Sequence, residues 1–220
     1  GTLVHYLVLG TAVFSICFAG GGPAAPLQVI VLGYDGTASA WDAGTGALLG
    51  RFEAAPGGAG SQAISPDGKT LAVGDSAGEI RLWNVADRRL RQTLTGHHTA
   101  IVFSVAFTPD GTLLASGAGD SRVNLWDAAT GAHLHELIGH TSVVDKVVWS
   151  PDGTLLASGA RDASVRIWNR RGDAVKTLQA AQGLTADQRW SPDSKQVIAC
   201  VGDAATLWDV ATGLPVAHEA

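Results

Sequence analysis

Serine, histidine and aspartate are the side chains of nucleophilic acyl transfer: serine attacks, histidine takes its proton, and aspartate orients the ring. The chain holds such a set twice. His97, Ser116 and Asp120 precede Trp126, and His140, Ser158 and Asp162 precede Trp168. In both sets serine stands 10 residues before the tryptophan and aspartate 6 before it, with histidine 29 or 28 before it. A catalytic set is needed once, at one cleft, whereas this one is copied at a fixed register. Copying points to something each unit needs for its own shape, so no catalytic residue is assigned. Cys17 and Cys200 lie far apart without metal-ligand spacing, which argues against zinc and disulfides and for two buried free thiols. No metal or cofactor is implied.

The elements that carry these sets repeat along the whole chain. Trp41-Asp42, Trp83-Asn84, Trp126-Asp127, Trp168-Asn169 and Trp208-Asp209 recur at intervals of 42, 43, 42 and 40. Turn quartets echo them: SPDG at 65, TPDG at 108, SPDG at 150 and SPDS at 191, with 17, 17, 17 and 16 residues from the turn proline to the tryptophan. Pro suits the second position of a type I turn, Asp bonds its own backbone, and Gly takes the positive φ that follows. Between the turns lie short apolar runs such as VFSVAF, LLASGA and VNLW, too short for helices and rich in strand formers. Each unit then reads as four short strands: a before the quartet, b after it, c ending at the tryptophan, and d after a Thr-Gly turn. Four strands with a period near ~42 residues are the signature of a propeller blade. The units are 10–52, 53–94, 95–137, 138–179 and 180–220, forming one all-β propeller domain.

The pairs Gly96-His97 and Gly139-His140, the turn quartets and the terminal Trp-Asp together resemble the WD-repeat family over nearly the whole chain. That resemblance implies a β-propeller of four-stranded antiparallel blades, usually seven in the ring, acting as a non-catalytic protein-interaction scaffold. It also implies that His97, Ser116, Asp120 and Trp126, and likewise His140, Ser158, Asp162 and Trp168, form buried hydrogen-bond networks. A tryptophan N–H buried in a sheet stack needs such a partner. The loops between d and a, with the b–c turns, would line the mouth of the central channel, where a protein or peptide partner binds. The candidate contacts there are Tyr34, His98, Asp145, Lys146, Arg161 and Arg189, because tyrosine and arginine carry interface energy disproportionately. Phe103, Phe107, Trp149 and Trp190 read as packing, and Arg170-Arg171 as a solvated turn on the opposite face.

Three units depart from the pattern. Val31 stands where the first unit would have serine, Val73 and Ala77 replace serine and aspartate in the second, and Asp203 in the fifth lies 5 residues before Trp208. These blades are expected to rely on apolar packing alone.

Residues 1–20 form an apolar run close to the ~18 residues of a membrane span, but without a basic leading region. The repeat gives another account, since VFSICF at 13–18 matches VFSVAF at 102–107, and Gly1, His5 and Leu7 match Gly131, His135 and Leu137 of a strand d. Residues 1–9 are then strand d of a preceding, truncated blade, to be completed by missing blades or attached domains. On this account the protein is cytoplasmic. A leader or anchor would make it periplasmic, secreted or membrane-tethered. The chain lacks methionine, as expected of a processed chain or a fragment, and its Ala- and Gly-rich usage is expected of a bacterial source. The net charge of −5 without a dense Lys/Arg block excludes nucleic acid as the main partner.

Overall fold

Turn chemistry sets the strand boundaries. In each quartet the leading hydroxyl donates to the aspartate two residues on: Ser65 to Asp67, Ser150 to Asp152 and Ser191 to Asp193 at 2.6 Å, and Thr108 to Asp110 at 2.7 Å. The next residue turns left-handed, with φ of 71°, 72° and 71° at Gly68, Gly111 and Gly153. Ser194 takes the same position with φ 61°, a conformation that costs a side-chain-bearing residue about 1 kcal/mol.

The computed structural model describes residues 12–20, 26–52, 58–179, 185–201 and 204–216. Five antiparallel sheets follow one another along the chain. The first is β1 (Val13–Ala19), β2 (Gln28–Gly33), β3 (Ala38–Asp42) and β4 (Leu48–Phe52). The second is β5 (Ala59–Ile64), β6 (Thr70–Asp75), β7 (Ile80–Asn84) and β8 (Leu90–Leu94). The third is β9 (Val102–Phe107), β10 (Leu113–Ala118), β11 (Val123–Asp127) and β12 (His133–Leu137). The fourth is β13 (Val144–Trp149), β14 (Leu155–Ala160), β15 (Ser164–Asn169) and β16 (Ala174–Gln179). The fifth holds β17 (Thr185–Trp190), β18 (Gln196–Val201) and β19 (Ala204–Asp209). Among the described residues its fourth strand is represented by a bridge between Trp208 and Pro215. Each sheet pairs its strands in chain order, as a propeller blade does. The expected strand at 1–9, the aspartate at 203 and the end of the last strand at 217–220 lie outside the described residues.

Sheets stack face to face through the tryptophan of strand c and its neighbours. Trp126 packs with Ala72, Ile80, Leu82 and Leu94 of the sheet before it, and Trp168 with Leu125 and Leu137. Trp208 repeats the contact with Val165, Ile167 and Leu178. Burial of each blade therefore depends on its predecessor. Among the described residues the first blade differs at this face: Ile16 is 62% exposed, while Val105 and Val147, at its register in β9 and β13, are 6% and 2% exposed.

The a strands β1, β5, β9, β13 and β17 lie side by side in that order and are stitched together near the middle of the stack. Ser61 Oγ donates to Val102 O at 3.1 Å, and Val147 N to Ser104 Oγ at 3.1 Å. Trp149 Nε1 donates to Ala106 O at 3.2 Å, Trp190 Nε1 to Val148 O at 3.1 Å, and Gln188 Nε2 to Lys146 O at 2.8 Å. Gln62 holds the register of Gln188 at the first seam, yet both atoms of its amide are buried without a partner.

Candidate functional site

The fourth blade closes its polar network around one hydroxyl. Trp168 Nε1 donates to Ser158 Oγ at 2.8 Å, Ser158 Oγ meets His140 Nε2 at 2.8 Å, and His140 Nδ1 meets Asp162 Oδ2 at 2.9 Å. A carboxylate only accepts, so Nδ1 carries the proton and Nε2 accepts from the serine. Asp162 also accepts from Thr141 N at 3.0 Å and Ser164 Oγ at 2.7 Å. Burial alone would raise the Asp162 pKa, but these hydrogen bonds and His140 outweigh it and hold it at about 2. Burial depresses the His140 pKa against the pull of Asp162.

The third blade builds the same network with His98 in place of the expected His97. His98 Nε2 meets Ser116 Oγ at 2.9 Å, Nδ1 meets Asp120 at 3.1 Å, and Trp126 Nε1 donates to Ser116 Oγ at 2.9 Å. The reason is a one-residue insertion after Gly96. His98-Thr99 matches His140-Thr141, with Thr99 N donating to Asp120 as Thr141 N does to Asp162. His98 also stands 28 residues before its tryptophan, as His140 does. His98 is accordingly buried and is no contact for a partner. His97 stacks instead on His133, ring centroids 3.7 Å apart, edge-on to Trp126.

This wiring is that of a nucleophilic triad, but the serine cannot serve as one. Ser116 and Ser158 are 0% exposed, and each oxygen already receives an indole N–H.

The other blades solve the problem differently. Trp41 donates to Ser39 Oγ at 2.8 Å within its own strand, so apolar packing is not its sole support. In the second blade Val73 offers no acceptor, and Trp83 Nε1 is buried without a partner. Asp75 organises its b–c turn, accepting from Ala77 N and Glu79 N at 2.9 Å and pairing with Arg81. Arg170, expected to be solvated, clamps the fourth blade to the third by donating to Asp110 at 2.8 Å and to Thr112. The thiols also differ from expectation. Burial pushes Cys17 up to about 12, whereas Cys200 is exposed, on the face of β18 that also carries the exposed Ile198.

The residues free to vary lie at the rim of the a strands. Each of β1, β5, β9 and β13 carries a register shift near its start, between Val13 and Ser15, Ala59 and Ser61, Val102 and Ser104, and Val144 and Lys146. The bulged residue is Phe14, Gly60, Phe103 or Asp145; bulges re-aim a side chain out of the ladder. A repeated backbone bond sets one b–c turn residue beside each, with Tyr34, Ser76, Gly119 and Arg161 donating to Ala12, Gly58, Ile101 and Val143. The Tyr34 ring meets Phe14 edge-on at 5.2 Å. Arg161 forks onto Asp145 at 3.0 to 3.1 Å and lies 5.7 Å from the Phe103 ring centroid. These residues border a groove of about 530 Å³ lined by all five a strands, with Lys146 and Asp187 paired at 3.4 Å and Arg189 and Asp187 at 3.3 Å. Of the sequence candidates, Asp145 and Lys146 line the groove, while Tyr34, Arg161 and Arg189 reach it only through their contacts with Phe14, with Phe103 and Asp145, and with Asp187. Phe103 was missed because its aromatic type reads as core. The register shift that brings it to the groove has no signal in a single repeat.

The family model described as WD domain, G-beta repeat matches residues 46–84, 88–127 and 131–169, together more than half of the chain. The chain belongs to the WD40 repeat family. Each matched repeat starts at the c–d turn of one blade and ends with the Trp-Asp or Trp-Asn of the next, so the repeat as a sequence unit straddles two sheets. The protein described as "Cell division cycle 20.1, cofactor of APC complex" from Arabidopsis thaliana is 35% identical over 82 residues. That match covers 36% of this WD40 chain and only 18% of the Arabidopsis protein.

Proposed function

We propose that this chain is a non-catalytic interaction module that offers the groove of its a strands to a segment of a partner protein. One observation carries this reading. At four structurally equivalent rim positions the side chains are Phe14, Gly60, Phe103 and Asp145, while the networks beneath them in the third and fourth blades are the same. A frame that repeats under a rim that varies is the design of a binding surface on a fixed scaffold. The WD40 family is generally a family of interaction scaffolds, and the relative's description as a cofactor of a complex supports the same reading. Selection of displayed random peptides on the purified protein tests it. Binders should lose affinity on Arg161→Gln, at the rim, and keep it on Arg171→Gln, on the opposite face. Binders insensitive to Arg161 would refute the assignment.

A further inference from the structure

The third blade carries a feature that its hydrogen-bond network does not need. His97, the residue inserted after Gly96, is half-buried with its ring stacked on His133, centroids 3.7 Å apart and planes 13° from parallel. Both rings stand edge-on to Trp126, at 5.2 and 5.0 Å. His133 Nε2 meets Asn124 Oδ1 at 2.9 Å, and since an amide oxygen only accepts, that nitrogen carries the proton. At the fourth blade Gly139 leads straight to His140, and Ala174 pairs with Trp168 where His133 pairs with Trp126. The network of Ser158, His140 and Asp162 forms there without any such stack. The stack is therefore an addition to the network and no part of it. The charged neighbours decide what it tolerates. Asp120 is taken by His98 and Glu136 pairs with Arg122. Burial and His97 hold the His133 pKa below its ordinary value against the pull of Glu136, and His135 and His98 act in the same direction as His97. The second blade meets Trp126 with Ala72, Ile80, Leu82 and Leu94, all apolar. Gly96, just before His97, has φ 84°, and a Cβ there would meet nothing within 4 Å, so the chain is free to turn at that point.

We infer that His97 and His133 form a proton-operated latch on the loop between the second and third blades. The stack holds while at most one ring is charged, because two imidazolium rings this close repel each other. Acidification that charges both rings expels His97, with Gly96 as the pivot. The network beneath stays closed, since Asp120 keeps both His98 Nδ1 and Thr99 N as donors. The latch stands independently of the interaction reading above.

The test is an NMR titration of the purified protein from about pH 8 to about pH 5, across the histidine range. It follows the histidine ring protons, the Trp126 indole N–H and the exchange of the Gly96 amide, corrected for its intrinsic pH dependence. On acidification the ring-current shifts of His97 and His133 are expected to collapse together and Gly96 exchange to accelerate, while the indole signal stays in place. His97→Phe keeps a flat ring and removes one charge. It is expected to retain the stack throughout and to raise the His133 pKa by about one unit, a tenfold gain in proton affinity. His133→Ala, which installs the residue type of Ala174 at this register, is expected to keep the indole signal and to leave Gly96 exchange independent of pH. An unchanged His133 titration in His97→Phe, or a parental stack that survives at the acid end, would overturn the latch. Loss of the indole signal together with the stack would also overturn it, because the pair would then be part of the network.

Discussion

Replacing Ser158 with alanine removes one oxygen and strands two partners. The Trp168 indole N–H loses its acceptor and His140 Nε2 loses its donor, each previously at 2.8 Å. Trp168 is 1% exposed and His140 7%, so water does not replace the lost bonds. An unsatisfied buried polar group costs about 1–3 kcal/mol, and two of them place the loss for Ser158→Ala near 3 kcal/mol. Urea unfolding followed by tryptophan fluorescence should show this as a fall in midpoint of about 1 M. Ser39→Ala is the internal control. It also removes an indole acceptor, but Trp41 is only half-buried and water can reach its N–H, so the cost should stay below about 1 kcal/mol. A Ser158→Ala protein within about 0.5 kcal/mol of the parent would refute the view that the network supports the blade.

Gln62→Val should raise stability by about 1–2 kcal/mol, because it removes a buried unpaired amide at a register where β9 and β13 carry Val105 and Val147; a lower urea midpoint would contradict this. The pH dependence follows from His98, His133 and His140, whose pKa values burial depresses. The unfolded chain then binds protons that the folded chain refuses. Stability is full above about pH 6.5 and is lost as pH falls through the window below it, and a flat urea midpoint from about pH 7 to pH 5 would oppose this. Ellman's reagent should titrate Cys200 quickly in the native protein and Cys17 only on unfolding, and two fast thiols would contradict the burial of Cys17.

The spacing of the tryptophans and turn quartets made the blades legible, because each quartet is a local structure with its own hydrogen bonds and needs no tertiary partner. Ser158, Asp162 and His140 were legible for the same reason: a repeated register carries them. His97 misled because a Gly-His pair marks a loop by its neighbours in sequence, whereas the ring that enters the network is fixed by distance from strand a. The bulges were invisible, since a register shift depends on how two strands pair. With them the place of Phe103 and Phe14 at the groove was hidden. Arg170 was also unreadable, since its partners Asp110 and Thr112 belong to another blade.

On the proposed function labour is divided, with the repeated Ser-His-Asp sets holding the blades and the varying rim doing the binding. The most direct measurement compares Ser158→Ala and Arg161→Gln in one experiment, reading the melting temperature and the affinity for a display-selected peptide at a temperature where both variants are folded. Ser158→Ala is expected to lower the melting temperature and keep the affinity, while Arg161→Gln is expected to keep the melting temperature and lose the affinity. Loss of affinity in Ser158→Ala with its melting temperature intact would contradict this division.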